Sequence, residues 1–448
     1  MVHGSGQVQN DSTLLRRPSG RGAADEWTGF EIGRDVRILV IAYACEPGRG
    51  SEPGAGWMWS RMLARLGETC VVTRSNNRSA VEEGLRQMTE DARPRFVYLD
   101  LPAWARFWKR GQRGIRLYYM LWQIAALRQA RRLLRAEGFD VVWHLTLANA
   151  WLGSTASLLS RPFIYGPVAA GPGMPWRLLP ALGARGALYE GLREVAETAG
   201  RHINPLARVS WRRARLILVQ NEETRRWLPG RYREKVVIFP NPVIDEVPGV
   251  TGRGRAGSPS ALFAARLMPS KGGALAIRAL LHLPEWHLFV AGTGPDEARL
   301  RRLARRLDVA GRVHFLGWQP RKELIRLMSE EADVFLYPSI REAAGWVVAE
   351  AVACGLPVVC LDRGGPPLLG GSAVAATNQQ QTARALAVAV RAVWTGEMPL
   401  PRVPSTSLDD AWERLDAVLR STGCLEAPAL AAGEDDISPV ASPNDRPA

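Results

Sequence analysis

No apolar run in this 448-residue sequence is long enough to cross a bilayer as a helix, which argues against a membrane span. The opening residues, MVHGSGQVQNDSTLLRRPSGRG, lack the apolar core of a secretory leader and read as a flexible arm over residues 1–36. The expected location is therefore cytoplasmic, with peripheral contact to an anionic membrane left open. Cysteine is scarce. Cys45, Cys70, Cys354, Cys360 and Cys424 are odd in number and form no C-x-x-C pair. They read as free thiols in a reducing compartment, not as a disulfide framework or a metal cluster. Six histidines, far apart and without H-E-x-x-H spacing, give no metal pattern either.

What the chain has in excess is positive charge: 58 lysines and arginines against 44 acidic residues, a formal +14. Such a surface suits nucleotides, acidic lipid or nucleic acid without choosing among them. Nucleic-acid binding is disfavoured, because no zinc finger or single-strand reading motif is present.

The length allows two cores. RILVIAY at 37–43, TCVVTRS, RFVYLDL near 95–101, VVWHL, RPFIYG, ARLILVQ and VVIFP alternate with helical patterns, the signature of an α/β sheet. This first domain spans 37–245. Residues 246–258, VPGVTGRGRAGSP, are the linker, since Gly, Pro and Ser build neither element type easily. ALFAARL, HLFVAG, VHFLG, ADVFLYPS and PVVCL are the strands of a second α/β domain over 259–400. Their near-continuous apolar character indicates a parallel sheet covered on both faces. Residues 401–423 form a terminal helix returning toward the first domain, and 424–448 lack an apolar face and read as disordered.

Residues 104–136 begin with FWKRGQRG and continue through IRLYYMLWQIAAL to RQARRLLR. Three readings stay open for them: a helix packed on its own sheet, an acceptor-binding wall, or contact with anionic lipid. Residues 170–205, interrupted by Gly and Pro, are a second candidate wall.

Chemistry concentrates in SIREAAGWVVAEAVACGLPVVCL, residues 339–361. Glu342 falls where a strand ends, at the sheet edge that holds ligands in α/β proteins, and a carboxylate there can accept sugar hydroxyls. Gly345 permits close backbone approach. The helix beginning at Trp346 and Val347 offers free amides to an anion, and Glu350, one turn on, can hold two ribose hydroxyls. Arg266 and Lys271 follow the first strand of this half and supply a guanidinium fork and a point charge for a diphosphate. Each alone reads as an ordinary surface cation. In AGTGP, Gly292 and Gly294 mark a turn that can also form a nucleotide edge. In the first half, Gly54 and Gly56 of GSEPGAGW either let amides approach a phosphate or sugar at a helix start or make a purely structural tight turn. His144, at the end of VVWHL, can orient a donor hydroxyl or be a half-buried structural histidine.

CEPGRGSEPGAGW, VVWHLT, the Arg266–Lys271 pair, AGTGP, FLGW and EAAGWVVAEAVACGLPVV together resemble a retaining nucleotide-sugar glycosyltransferase of family 4, over residues 37–365. The resemblance implies GT-B architecture: two facing Rossmann-like domains with a cleft between them. It assigns diphosphate contacts to Arg266 and Lys271, donor-sugar hydroxyls to Glu342, ribose to Glu350, and the amide bend to Gly345, Trp346 and Val347. His144 matches its sugar-positioning histidine, and Gly54 and Gly56 its donor-closing loop. The implied donor is a UDP-, GDP- or dTDP-sugar, with neither an obligatory cofactor nor a metal. The implied reaction is same-face, ion-pair-like transfer to the hydroxyl of a glycan, lipid-linked sugar or small metabolite. Where the family has glycine, aromatic, glycine after the acid, this chain has Ala343, Ala344 and Gly345, so donor-sugar identity is not carried over. The competing readings are a noncatalytic nucleotide-sugar sensor and a GT-B-like phosphorylase or epimerase.

Overall fold

The computed structural model describes residues 36–90, 93–106, 114–170, 173–244 and 257–424. The expected N-terminal arm and C-terminal tail, nearly all of the expected linker and the basic stretch 107–113 lie outside the described residues.

The first half forms a seven-stranded sheet from β1 (Val36–Ala42), β2 (Gly67–Arg74), β3 (Arg95–Leu99), β4 (Val141–Thr146), β5 (Phe163–Val168), β6 (Ala214–Val219) and β7 (Val236–Ile238). The second half forms a six-stranded sheet from β8 (Ser260–Ala264), β9 (His287–Ala291), β10 (Val313–Gly317), β11 (Val334–Tyr337), β12 (Val358–Leu361) and β13 (Ser372–Val374). Their orders are β3-β2-β1-β4-β5-β6-β7 and β10-β9-β8-β11-β12-β13. Every pairing is parallel. Each sheet starts at its middle, winds one way, then crosses back and winds the other. The crossing leaves a crevice beyond the strand ends between β1 and β4, and between β8 and β11. Two such sheets facing one another make the GT-B arrangement.

Branched apolar sequence explains the double cover. Along β1, Ile38, Val40 and Ala42 enter one core while Leu39 and Ile41 enter another, as alternation on a strand requires. In the second half, all of β8, β11 and β12 is buried. The five cysteines are buried free thiols. Among the described residues, no helix is long and apolar enough to cross a membrane.

Several contacts join the halves. The Leu408–Ser421 helix sends Leu408, Ala411, Leu415 and Leu419 into the first-domain core, and its Asp409 pairs with Arg65 at 2.6 Å. Asn221 Nδ2 donates to the Ala343 carbonyl at 2.8 Å, and Gly364 N–H to Glu223 at 2.8 Å. The stretch 170–205, expected as a Gly/Pro-rich wall, instead holds a helix, Leu179–Ile203, kinked at Gly183. Its pattern is inverted. Glu190 and Glu197 are buried, whereas Leu188, Leu192 and Val195 are 66%, 63% and 67% exposed. Periodicity that assumes an apolar inner face could not find it.

Candidate functional site

A cavity of about 840 Å³ opens at the β8/β11 crossing of the second sheet and is lined on its other side by residues of the first domain. Arg266, Lys271, Gly292, Gly294, Glu342, Trp346, Val347 and Glu350 all line it. Topology accounts for the convergence. Arg266 lies just past β8, Gly292 just past β9, and Glu342 in the turn after β11, so three strand ends deliver their loops to one crevice.

Glu342 is the best-held group. Lys271 Nζ contacts its Oε2, and the Tyr337 hydroxyl donates to the same oxygen at 2.5 Å. Burial is the largest influence on the Glu342 carboxyl and pushes it up. The Lys271 ammonium, the Tyr337 hydroxyl and the Gly345 N–H outweigh that and hold it below the ordinary carboxylate range. The same burial, with Glu342 opposite, drives the Tyr337 phenol well above its usual value. Glu342 is therefore an anion with fixed direction. Gly345 caps the Trp346–Ala353 helix at φ +86°, a conformation that favours glycine, and lets the chain turn from Glu342 into the helix. Gly345 does not itself line the cavity.

Glu350, buried on that helix, accepts from Arg321 Nε at 2.8 Å. From the first domain, Gly50 approaches it so closely that a Cβ there would lie 3.9 Å from Glu350 Oε1. Arg266 is exposed at the cavity wall with no ion pair among the described residues. The Trp346 indole N–H is buried without a hydrogen-bond partner among the described residues. Gly292 answers first to main-chain crowding: a Cβ would meet the Ala265 carbonyl oxygen at 1.9 Å. Its place on the cavity wall follows from that crossing of β8 and β9.

Gly54, Gly56 and His144 likewise do not line this cavity, although Gly54 lines an adjoining one with Trp346 and Glu350. Gly54 and Gly56 lie inside the Ser51–Ala64 helix, where Cβ atoms would meet the Arg49 and Ala44 carbonyl oxygens at 1.9 and 2.0 Å. They seat the helix on the preceding loop, and it is Gly50, Ser51 and Glu52 that line the cavity. His144 is buried in the first domain and does not line it. Its Nε2 bonds to the Tyr119 hydroxyl at 3.0 Å and its Nδ1 to the Ser154 hydroxyl at 2.7 Å. Both ring nitrogens are thus engaged within the fold. Burial pushes its pKa down to about 3, so the ring is neutral.

The sequence reading missed Glu52, Tyr337 and Arg321. Glu52 accepts from the Leu147 N–H at 2.9 Å, and burial pushes its carboxyl up. It is the first domain's acid on the cavity wall. Its signal lies in GSEPG, where an acid opens a helix beside the glycines. Arg321, three residues beyond FLGW, is legible only once Glu350 is seen to need a partner. Among the described residues, no group of three or more His, Cys, Asp or Glu side chains could hold a metal ion.

Residues 254–400 match the family model for glycosyl transferases group 1. Over 112 residues the chain is 39% identical to a D-inositol 3-phosphate glycosyltransferase of Mycolicibacterium gilvum (strain PYR-GCK), covering 24% of this chain and 25% of that protein. A protein of the same description from Mycobacterium marinum (strain ATCC BAA-535 / M) is 37% identical over 121 residues, 26% of each chain. The match spans about a quarter of the length of these curated relatives. In fold, the chain is similar to a sucrose-phosphate synthase from Thermosynechococcus elongatus, with a TM-score of 0.52 and 18% identity over 87% of this chain and 96% of the other. It is also similar to the lipopolysaccharide outer core galactosyltransferase WaaB, with a TM-score of 0.51 and 15% identity over 87% and 98%.

Proposed function

For a chain that carries a glycosyl transferases group 1 domain in a GT-B fold, we propose transfer of a sugar from a nucleoside diphosphate to an acceptor hydroxyl, with retention of anomeric configuration. The carrying observation is the convergence of Arg266, Lys271, Glu342 and Glu350 on one cavity between the domains. In this reading the diphosphate lies against Arg266, Lys271 and the first amides of the Trp346–Ala353 helix. Glu350 holds the ribose, and Glu342 holds hydroxyls of the transferred sugar.

The chemistry follows from where charge develops. As the bond from the anomeric carbon to the diphosphate oxygen breaks, negative charge grows on the leaving phosphate. Arg266 and Lys271 stabilise it, and a fixed donor of this kind is worth about 2–4 kcal/mol in the transition state. The acceptor hydroxyl forms the new bond on the same face, and its proton passes to the leaving phosphate oxygen. Glu342 orients the sugar without forming a covalent intermediate. Glu52, facing the site from the first domain, suits the acceptor side. His144, bonded within the fold at both nitrogens, has no part in donor positioning here.

We extend the reading to peripheral contact with an anionic membrane. The support is the inverted Leu179–Ile203 helix, whose outward face carries Leu188, Leu192 and Val195, together with exposed Leu117, Met120 and Ile124 on the Ile115–Glu137 helix. Apolar rows on a basic protein suit an acidic lipid surface.

The test is incubation of purified protein with individual UDP-, GDP- and dTDP-sugars and a metabolite extract. Nucleoside diphosphate release, product mass and the anomeric coupling in the product's NMR spectrum are then read. A product whose anomeric configuration matches the donor supports the proposal, and an inverted product refutes the retaining reading. Binding without turnover on any acceptor points to a sensor. Phosphate-dependent sugar release, or interconversion without an acceptor, points to a phosphorylase or epimerase.

A further inference from the structure

A second cavity, of about 710 Å³, shares no lining residue with the donor site. Five arginines line it: Arg278 on the Gly273–Ala279 helix, and Arg299, Arg302, Arg305 and Arg306 on the Glu297–Arg306 helix. Among the described residues, no carboxylate does. Pro180, Ala181 and Gly183 of the first domain close the opposite wall, so the cavity lies at the domain junction.

Among the described residues, Arg299 is the one of these arginines with a carboxylate partner, and Arg302, Arg305 and Arg306 are exposed. Arg299 pairs with Asp296 through Nε at 2.6 Å and Nη2 at 2.7 Å, and its Nη1 donates to the Ala181 carbonyl across the junction at 2.9 Å. Among the described residues, Arg302, Arg305 and Arg306 have no ion pair, and Arg278 Nε is buried without a hydrogen-bond partner. Burial, then Arg306 and then Arg299, pushes the Arg278 pKa down. Like charges gathered round a concavity repel one another and concentrate counter-ions there. A multiply charged anion relieves the repulsion and supplies the missing acceptors, and guanidinium forks match phosphate oxygens in pairs.

We propose that this junction cavity is a second anion site, which takes a ligand bearing two or more phosphate charges. Because both domains wall it, an occupant bridges them. The site is independent of the donor reading, since its residues play no part in the proposed transfer.

The probe is inorganic pyrophosphate, titrated calorimetrically at low chloride concentration. Wild-type protein is expected to bind two equivalents. Arg266→Ala with Lys271→Ala removes one. Adding Arg278→Gln and Arg306→Gln weakens the other by about tenfold or more, as expected for losing charge-assisted contacts. Arg302→Gln with Arg305→Gln, a pair exposed on the helix surface, acts in the same direction without touching a buried residue. A parallel arm measures sedimentation with phosphatidylcholine vesicles with or without cardiolipin, whose headgroup carries two phosphates. Loss of cardiolipin-dependent binding in the cluster variants, with no pyrophosphate binding, supports the site and identifies its source as a lipid headgroup. If both arms are unchanged by the cluster substitutions, or neither probe binds, the proposal is overturned. If instead only Arg266→Ala with Lys271→Ala is without effect, the donor reading fails and this one stands.

Discussion

Replacing Lys271 by methionine keeps most of the side-chain volume and removes one charge, which isolates the electrostatics of the Glu342 site. Glu342 is 14% exposed and Lys271 26%, so the pair is only partly screened. Burial pushes the Glu342 carboxyl up, and Lys271 contributes most to holding it down. Tyr337 and the Gly345 N–H remain in the variant, but without the ammonium the carboxyl should rise above its unfolded value. In wild type the folded pKa lies below the unfolded one. Ionised Glu342 therefore contributes stability above that unfolded value, and it is lost as the pH falls. In Lys271→Met the order reverses, and stability is lost as the pH rises through the raised folded pKa. A charge-assisted contact is worth about 1.5–3 kcal/mol, which corresponds to roughly one to two pH units.

The expected penalty of Lys271→Met is therefore about 1.5–3 kcal/mol at mildly alkaline pH, shrinking by about 1.4 kcal/mol per unit as the solution is acidified. Urea denaturation followed by tryptophan fluorescence at a series of pH values measures it. Other titrating groups cancel in the difference between wild type and variant. Glu342→Gln in the Lys271→Met background should recover most of the loss, because no buried charge is then left alone. A penalty independent of pH, or a double variant as unstable as the sum of the singles, would refute this account of the pair.

Three further outcomes are expected. Glu350→Gln should weaken nucleoside diphosphate binding by about tenfold while sparing turnover at saturation; equal dissociation constants in a titration would remove Glu350 from the ribose. His144, neutral and buried with a pKa near 3, makes the fold lose up to about 1.4 kcal/mol per pH unit as acid protonates the unfolded chain's histidine below about 6.5. His144→Gln should flatten that part of the stability profile, and an unchanged slope would contradict the assignment. Arg341→Met should destabilise the protein by about 1.5–3 kcal/mol, because Glu190 and Glu197 lose their buried cation and keep the half-exposed Arg193, which lies 3.8 and 2.9 Å from them, with partial rescue by Glu197→Gln in denaturant titrations.

The architecture was legible because the inner strands of both sheets are short apolar runs covered on both faces. Such runs carry their own identity in sequence, as in VVWHL and VFLY. The acids and cations of the second domain were legible for a related reason: loops at the ends of neighbouring parallel strands are bound to meet at one crevice. His144 shows where this logic stops. A strand end places a residue near the crevice, but which neighbour satisfies its nitrogens depends on Tyr119 and Ser154, 25 and 10 positions away in sequence. Gly54 and Gly56 show a different limit. Glycine marks close approach without saying to what, and here the approach is to the chain's own carbonyls.

The Arg341–Glu342 dipeptide joins what local pattern kept apart. Arg341 is almost wholly buried and leaves the second domain to meet Glu190 and Glu194, each at 3.3 Å, and Glu197 on the Leu179–Ile203 helix. Its neighbour Glu342 turns the other way, to Lys271 and Tyr337. This contact explains why the helix buries acids and exposes leucines: its inner face is a receptor for a guanidinium, and the apolar residues are left outside. Consecutive residues point their side chains apart, so the backbone that fixes one fixes the other. A rotation of the first domain that pulled on Arg341 would be felt one residue later at the carboxylate assigned to the donor sugar. The peptide bond between them thus couples the site's geometry to one of the contacts that join the two domains.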